Sequence, residues 1–231
     1  MESKQFITKL VKDNEALFQA SEIQVEAYFN SNPTQEELVE HFVGRMVNER
    51  MNMLAISAKV AAMPVDATAE YCALMSKQAL DEANHFRMVR DVIEHMTGEP
   101  LDVVAAIAAE EAKPTAKGAA LLEKYEAESD PLALAAYQFI AEGRAERVWN
   151  KMAECIQDEF ISKTYAKIAK DEGFHSKIGR HSLELLATDA TVQARIEELA
   201  HSMRKDLFAV SVANTKAVPE AARLIADAYG A

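Results

Sequence analysis

A short acidic motif that occurs twice within helical stretches constrains this chain more than any other feature. The segment Asp81-Glu82-Ala83-Asn84-His85 recurs as Asp171-Glu172-Gly173-Phe174-His175. In each copy the Glu and the His are three positions apart, which places them on one face of a helix. Continuing along that face in steps of three and four gives mostly apolar residues. The sequence therefore predicts two helices that each turn a carboxylate and an imidazole toward the core.

Sparse turn residues predict that nearly the whole chain is helical. The 231 residues include 7 Gly and 6 Pro, about half of the usual share, which is too little turn chemistry for a many-stranded β fold. With 49% hydrophobic residues the chain can bury a sizeable core. The fold class predicted is all-α. The expected helices cover 3–29, 34–62, 66–96, a broken helical connection at 101–128, 132–158, 159–187, 190–205 and 219–229.

The other two long helices also place acids among apolar residues. Glu49 falls in the stripe of 34–62 that contains Phe42 and Met46, and Glu142 and Glu146 share one face of 132–158. An isolated buried carboxylate is so unfavourable that converging acids and imidazoles require counter-charge. A pair of divalent metal ions supplies that charge. Four carboxylates and two imidazoles suit iron or manganese better than a thiolate-rich zinc site.

The order and spacing of these residues carry a family resemblance. Glu49 precedes Glu82 by 33 positions and Glu142 precedes Glu172 by 30, so each half reads as a helical hairpin. This order, Glu then Glu-x-x-His in each half, is the pattern of dimetal four-helix bundles. Over 34–187 the chain resembles the ferritin-like di-iron carboxylate superfamily, in particular its compact single-chain oxygenase and oxidase members. The resemblance implies one ferritin-like domain over 1–231, with a core bundle at 34–187, a long crossover connection and extra N- and C-terminal helices.

The resemblance also implies a set of metal ligands, with Glu82 and Glu172 as bridges between two ions. The ligands for the first ion are Glu49, Glu82 and His85, and those for the second are Glu142, Glu172 and His175. Glu146 is an additional or alternative ligand, because it shares a face with Glu142 and Arg147 can pair with either acid. No catalytic residue is assigned beyond the metal ligands.

Further residues near the motifs receive supporting roles. Asp81 and Asp171 are interpreted as acceptors that fix a ligand imidazole through a hydrogen bond. Four side chains one or two turns from the ligands are candidates for a substrate pocket, although such residues are more often ordinary core groups. They are Gln78, Phe139, Tyr165 and Ile168. The histidines without an acid partner in their stripe are interpreted as surface or capping residues: His41, His95, His181 and His201.

The resemblance implies an oxidoreductase that activates O2 at two Fe ions, or at a Mn/Fe pair, to oxidise a small or partly apolar organic substrate. The extra helices favour a monooxygenase or oxidase, because they can wall off a substrate cavity. The alternative is a ferritin-like protein that oxidises or stores iron. A third class is a bundle with a structural metal or none. An external electron donor, such as a ferredoxin or a reductase, is compatible with an oxygenase, and so is a homodimer.

Net charge and cysteine content limit which binding partners and which cellular compartment are expected for this protein. The net charge of −12 lacks the basic footprint of a nucleic-acid-binding protein. No apolar run approaches the roughly 18 residues of a membrane span. Cys72 and Cys155 have no paired spacing, which favours a reducing compartment. These features predict a cytoplasmic protein whose main partner is a small-molecule substrate.

Overall fold

A computed structural model of the chain describes residues 1–113, 117–127 and 129–230. Over these ranges the chain forms ten α-helices, one π-helical segment and no β-strand. The all-α prediction is therefore confirmed. The α-helices are α1 (Ser3–Asn30), α2 (Gln35–Ala61), α3 (Ala69–Thr97), α4 (Val103–Glu111), α5 (Ala120–Lys124), α6 (Pro131–Tyr137), α7 (Gly143–Cys155), α8 (Glu159–Leu186), α9 (Ala190–Ala213) and α10 (Pro219–Tyr229). The π segment (Gln138–Glu142) joins α6 to α7.

The predicted helix positions agree with the structure, apart from three differences. The predicted helix at 132–158 contains the π segment, so its hydrogen-bond pattern changes before α7 begins. The helix predicted at 190–205 continues to Ala213. The connection predicted at 101–128 contains α4 and α5, while its residues 114–116 and 128 lie outside the described residues.

Polar caps explain why α2 and α3 begin where they do. The Thr34 side chain accepts a hydrogen bond from the Glu37 backbone N–H, and the Glu37 carboxylate accepts one from the Thr34 N–H, which forms a capping box. Thr68 caps α3 by accepting from the Tyr71 N–H. The N-termini of the two helices that carry Glu49, Glu82 and His85 are thus fixed by the local sequence.

The chain divides into two compact units, of which residues 33–120 form one. In this unit α2 packs along α3, and α4 packs on α2. The interface is apolar apart from a few buried polar groups. The fully buried large side chains here are Phe42, Met46, Ile56, Met75 and Ile93.

The second unit combines residues 1–32 with the chain from 121 onward. Its α1 packs against α7, α9 and α10, while α8 packs against α6, the π segment and α7. Ile7, Leu10 and Leu17 of α1 are completely buried. The N-terminal helix therefore belongs to the core of this unit and is not an added outer layer.

Two candidate metal-binding triads

The first group of buried ligands lies on α2 and α3. Glu49 is 3% exposed, and Glu82 and His85 are fully buried. The Nδ1 atom of His85 lies 3.6 Å from Oε2 of Glu49 and 3.8 Å from Oε2 of Glu82. Each of the three side chains offers a ligand atom within 4.8 Å of the others. We refer to Glu49, Glu82 and His85 as the first triad.

The second group of buried ligands combines the end of the π segment with α8. Glu142 is 3% exposed, Glu172 is 1% exposed and His175 is fully buried. The Nδ1 atom of His175 lies 3.0 Å from Oε2 of Glu172. One ligand atom from each side chain again falls within 4.8 Å of the others. Glu142, Glu172 and His175 form the second triad.

The π segment sets the position of Glu142, which is its last residue. A π turn contains one residue more than an α turn, so it shifts the side chains that follow and leaves a backbone carbonyl to be satisfied. The hydroxyl of Ser176 donates a 3.0 Å hydrogen bond to the Phe139 carbonyl in this segment. Two glycines support the contact, because a β-carbon on Gly143 would lie 2.9 Å from Ser176 Oγ and one on Gly179 would lie 2.4 Å from the Phe139 nitrogen.

The donor atoms of each triad fit a hard divalent cation. Two carboxylates and one imidazole provide oxygen and nitrogen ligands, the type that iron and manganese accept. Burying two carboxylates without counter-charge is unfavourable, and a divalent ion would neutralise them. Each triad thus forms a buried cluster of acids and histidine that could bind a metal ion.

The structure also places the residues predicted to support the ligands. Asp81 forms an ion pair with Lys77 on α3, and Asp171 forms one with Lys167 on α8. Their role as acceptors for a ligand imidazole stays a prediction. The bridging roles of Glu82 and Glu172 and the sharing of one centre by both triads also stay predictions.

Glu146 is half-buried on α7, one turn beyond Glu142, and its carboxylate is not a member of either triad. The carboxylate lies against the backbone of Gly173 on α8. The neighbouring Arg147 is used elsewhere, because its guanidinium pairs with Glu22 of α1 at 2.7 Å. The structure therefore does not favour an ion pair between Arg147 and Glu146. It also does not favour Glu146 in place of Glu142 as a member of the second triad.

The four residues predicted for a substrate pocket are all buried. Gln78 is fully buried on α3, Phe139 is 6% exposed in the π segment, and Tyr165 and Ile168 are each 1% exposed on α8. The Tyr165 ring packs against Trp149, with ring centroids 5.7 Å apart. Contact of these residues with a substrate stays a prediction.

Sequence reasoning did not identify three residues that shape the second triad: Gly173, Ser176 and Gly179. For Gly173 and Gly179, the signal in the sequence was the presence of glycine inside a predicted helix. Gly is uncommon inside helices, since it costs up to about 1 kcal/mol relative to Ala there, and α8 contains two. Their presence in a long helix marks places where another chain segment approaches closely.

Comparison with solved structures gives an informative likeness. No family matches the chain, and no curated protein matches it. Among solved structures, a TenA homolog from Pseudomonas syringae pv. tomato str. DC3000 is similar, with a TM-score of 0.67 and 11% sequence identity. The similarity covers 93% of this chain and 95% of that chain. At this identity the likeness shows the fold alone.

This likeness corrects the family assignment made from the ligand pattern. The resemblance to the ferritin-like di-iron carboxylate superfamily was wrong, because the fold is similar to that of a TenA homolog. The functions inferred through that resemblance, an O2-dependent di-iron monooxygenase or oxidase and an iron-storage protein, are overturned with it. The order of ligands along helices is compatible with more than one helix topology, so it does not by itself define a family.

The long helices differ from membrane spans in their polar content. Within the described ranges, no helix combines the length and the apolar character needed to cross a bilayer.

Proposed function

We propose that this chain is a metal-dependent protein that binds two divalent ions of iron or manganese, one in each triad. The observation that carries the proposal is the repeated burial of two carboxylates and one imidazole with ligand atoms inside 4.8 Å. Surface acids that cluster by chance are exposed and hydrated, whereas these six side chains are at most 3% exposed. Such a set is stable only with a compensating positive charge.

The triads suit a reactive metal better than a purely structural one. Structural metal sites are closed by four protein ligands, whereas catalytic sites keep a coordination position for water or substrate. Three protein ligands for each ion leave such positions, and iron and manganese commonly accept more than four ligands. A bound ion would act as a Lewis acid toward a group in an open position.

The experiment is a titration of metal-free protein with Fe²⁺ or Mn²⁺ under anaerobic conditions, followed by elemental analysis. We expect saturation at two ions per chain. His85→Ala and His175→Ala should each reduce this to one. The matched controls are His95→Ala on α3 and His181→Ala on α8, since both side chains are exposed on the same helices as the ligands. They should leave the stoichiometry at two.

A second measurement tests for open coordination positions. Mn²⁺ accelerates the relaxation of water protons only when exchangeable water reaches the ion. We expect the Mn²⁺-loaded protein to show this acceleration and a closed structural site to show none. Failure to bind either metal in wild-type protein would overturn the proposed function.

A further inference from the structure

Among the matched positions at which the two motif halves differ, one lies one turn beyond the first acid and another lies directly after the second acid. One turn beyond the first acid of each half, the first half has Met53 and the second half has Glu146. Directly after the second acid, the first half has Ala83 and the second half has Gly173. The second half thus gains a carboxylate and loses a side chain.

The structure shows that these two differences belong together. A β-carbon on residue 173 would lie 2.5 Å from Oε1 of Glu146 and 3.0 Å from its Oε2. Real β-carbons essentially never approach other atoms within 3.0 Å. The Glu146 carboxylate therefore occupies the space that glycine leaves on α8, next in the chain to the ligand Glu172.

Ordinary charge pairing does not account for this placement. Arg147 is directed to α1, with Glu22 at 2.7 Å and Glu15 at 3.4 Å. Among residues 1–113, 117–127 and 129–230, no ion pair joins Glu146 to a cation. The half-buried carboxylate is held against α8 by packing, at the cost of a helical glycine.

From this geometry we infer that the two metal sites are unequal, because Glu146 adds a third carboxylate charge beside the second triad. The inference rests on the proposed function. Affinity for divalent cations rises with the number of negative ligands and neighbouring charges. Loss of a supporting group near a metal typically lowers affinity about 10- to 100-fold. The second triad therefore binds its ion first, and Glu146 sets that order.

The test uses variants that each keep one triad. The Mn²⁺ dissociation constant of each variant is measured from the EPR signal of the free ion. His85→Ala retains the second triad and His175→Ala retains the first. We expect the His85→Ala protein to bind Mn²⁺ more tightly. Glu146→Gln, which removes charge with little change in shape, should weaken binding about 10- to 100-fold in the His85→Ala background. In the His175→Ala background the same change should weaken binding clearly less than it does in the His85→Ala background.

Two matched pairs control for folding and for general charge. Gly173→Ala should displace the Glu146 carboxylate and weaken the second site, whereas Ala83→Gly at the equivalent position should not weaken the first. Glu154→Gln removes an exposed acid from α7 and should leave both sites unchanged. Circular dichroism of each variant establishes that the helices are intact.

The results separate the inference from the proposed function. If the His85→Ala protein binds Mn²⁺ equally well with and without Glu146→Gln, the inference is wrong while the proposed function stands. An equal effect of Glu154→Gln would also overturn it, because the effect would then be unspecific. If wild-type protein binds no metal, the proposed function and the inference fail together.

Discussion

The Ser176 hydroxyl on α8 donates a hydrogen bond to the Phe139 carbonyl, three residues before the ligand Glu142. The bond joins the π segment to the helix that carries the other two ligands of the second triad. It satisfies a backbone acceptor in the stretch where the hydrogen-bond pattern departs from that of an α-helix. The position of Glu142 thus depends on a side chain that is not itself a ligand.

Ser176→Ala should lower the free energy of unfolding by about 1 kcal/mol and weaken Mn²⁺ binding by the second triad. The stability loss comes from one hydrogen bond, and the affinity loss comes from a less constrained Glu142. Urea unfolding and Mn²⁺ titration in the His85→Ala background measure the two effects. Ser162→Ala is the control, because Ser162 donates a similar bond to the Ala153 carbonyl between α8 and α7. Equal affinities for the two variants would contradict a positioning role of Ser176.

Gly179→Ala should destabilise the protein by about 1–3 kcal/mol. The added methyl group would lie 2.4 Å from the Phe139 nitrogen and 2.7 Å from the Ala135 oxygen, and neither backbone atom can move without shifting a helix. Gly44→Ala is the comparison, because its methyl group would meet a side-chain atom, Oε1 of Glu110, at 3.3 Å and no backbone atom of another segment. The Gly44 variant should be neutral or slightly stabilised by the higher helix propensity of alanine. Thermal unfolding of both proteins measures the difference.

His41 should remain neutral throughout the physiological pH range. Burial, together with the nearby charge of Arg45, lowers its pKa to about 3. Between pH 6.5, the ordinary pKa of histidine, and about pH 3, the folded state binds fewer protons at His41 than the unfolded state does. This residue's contribution to the free energy of unfolding therefore falls as the pH decreases through that window. The His41 ring signals, assigned with His41→Gln, should not titrate in NMR spectra between pH 5 and 8, and a midpoint in that range would refute the prediction.

The sequence prediction that Glu82 and Glu172 bridge two ions has a magnetic test. Bridging carboxylates hold ions about 3.5–4 Å apart, close enough to couple their electron spins. Protein loaded with two Mn²⁺ ions should then give a coupled EPR spectrum, and each single-histidine variant should give the spectrum of one isolated ion. If wild-type protein shows only the sum of two isolated ions, the bridging assignment is wrong.

Helix positions, and the shared face of a Glu and a His three residues apart, could be predicted from the sequence because both follow from local periodicity. Glu82 and His85 lie three residues apart, so their shared face is fixed once the helix forms. The π segment was not predictable in this way, since it depends on Gly179 and Ser176 packing against it from α8. The family was misassigned for a related reason. Ligand order records which residues each helix presents, whereas topology depends on packing such as that of Leu17 in α1, which periodicity does not specify.

The division of the chain also has a consequence for the order in which its parts can fold during synthesis. The unit at 33–120 is encoded without interruption, so it can be completed as soon as that stretch has left the ribosome. The helix α1 is made earlier, yet the helices it packs against, α7, α8, α9 and α10, all come later in the chain. The helix α1 is therefore made before every helix that it packs against, and its packing is complete only once α10 has been made.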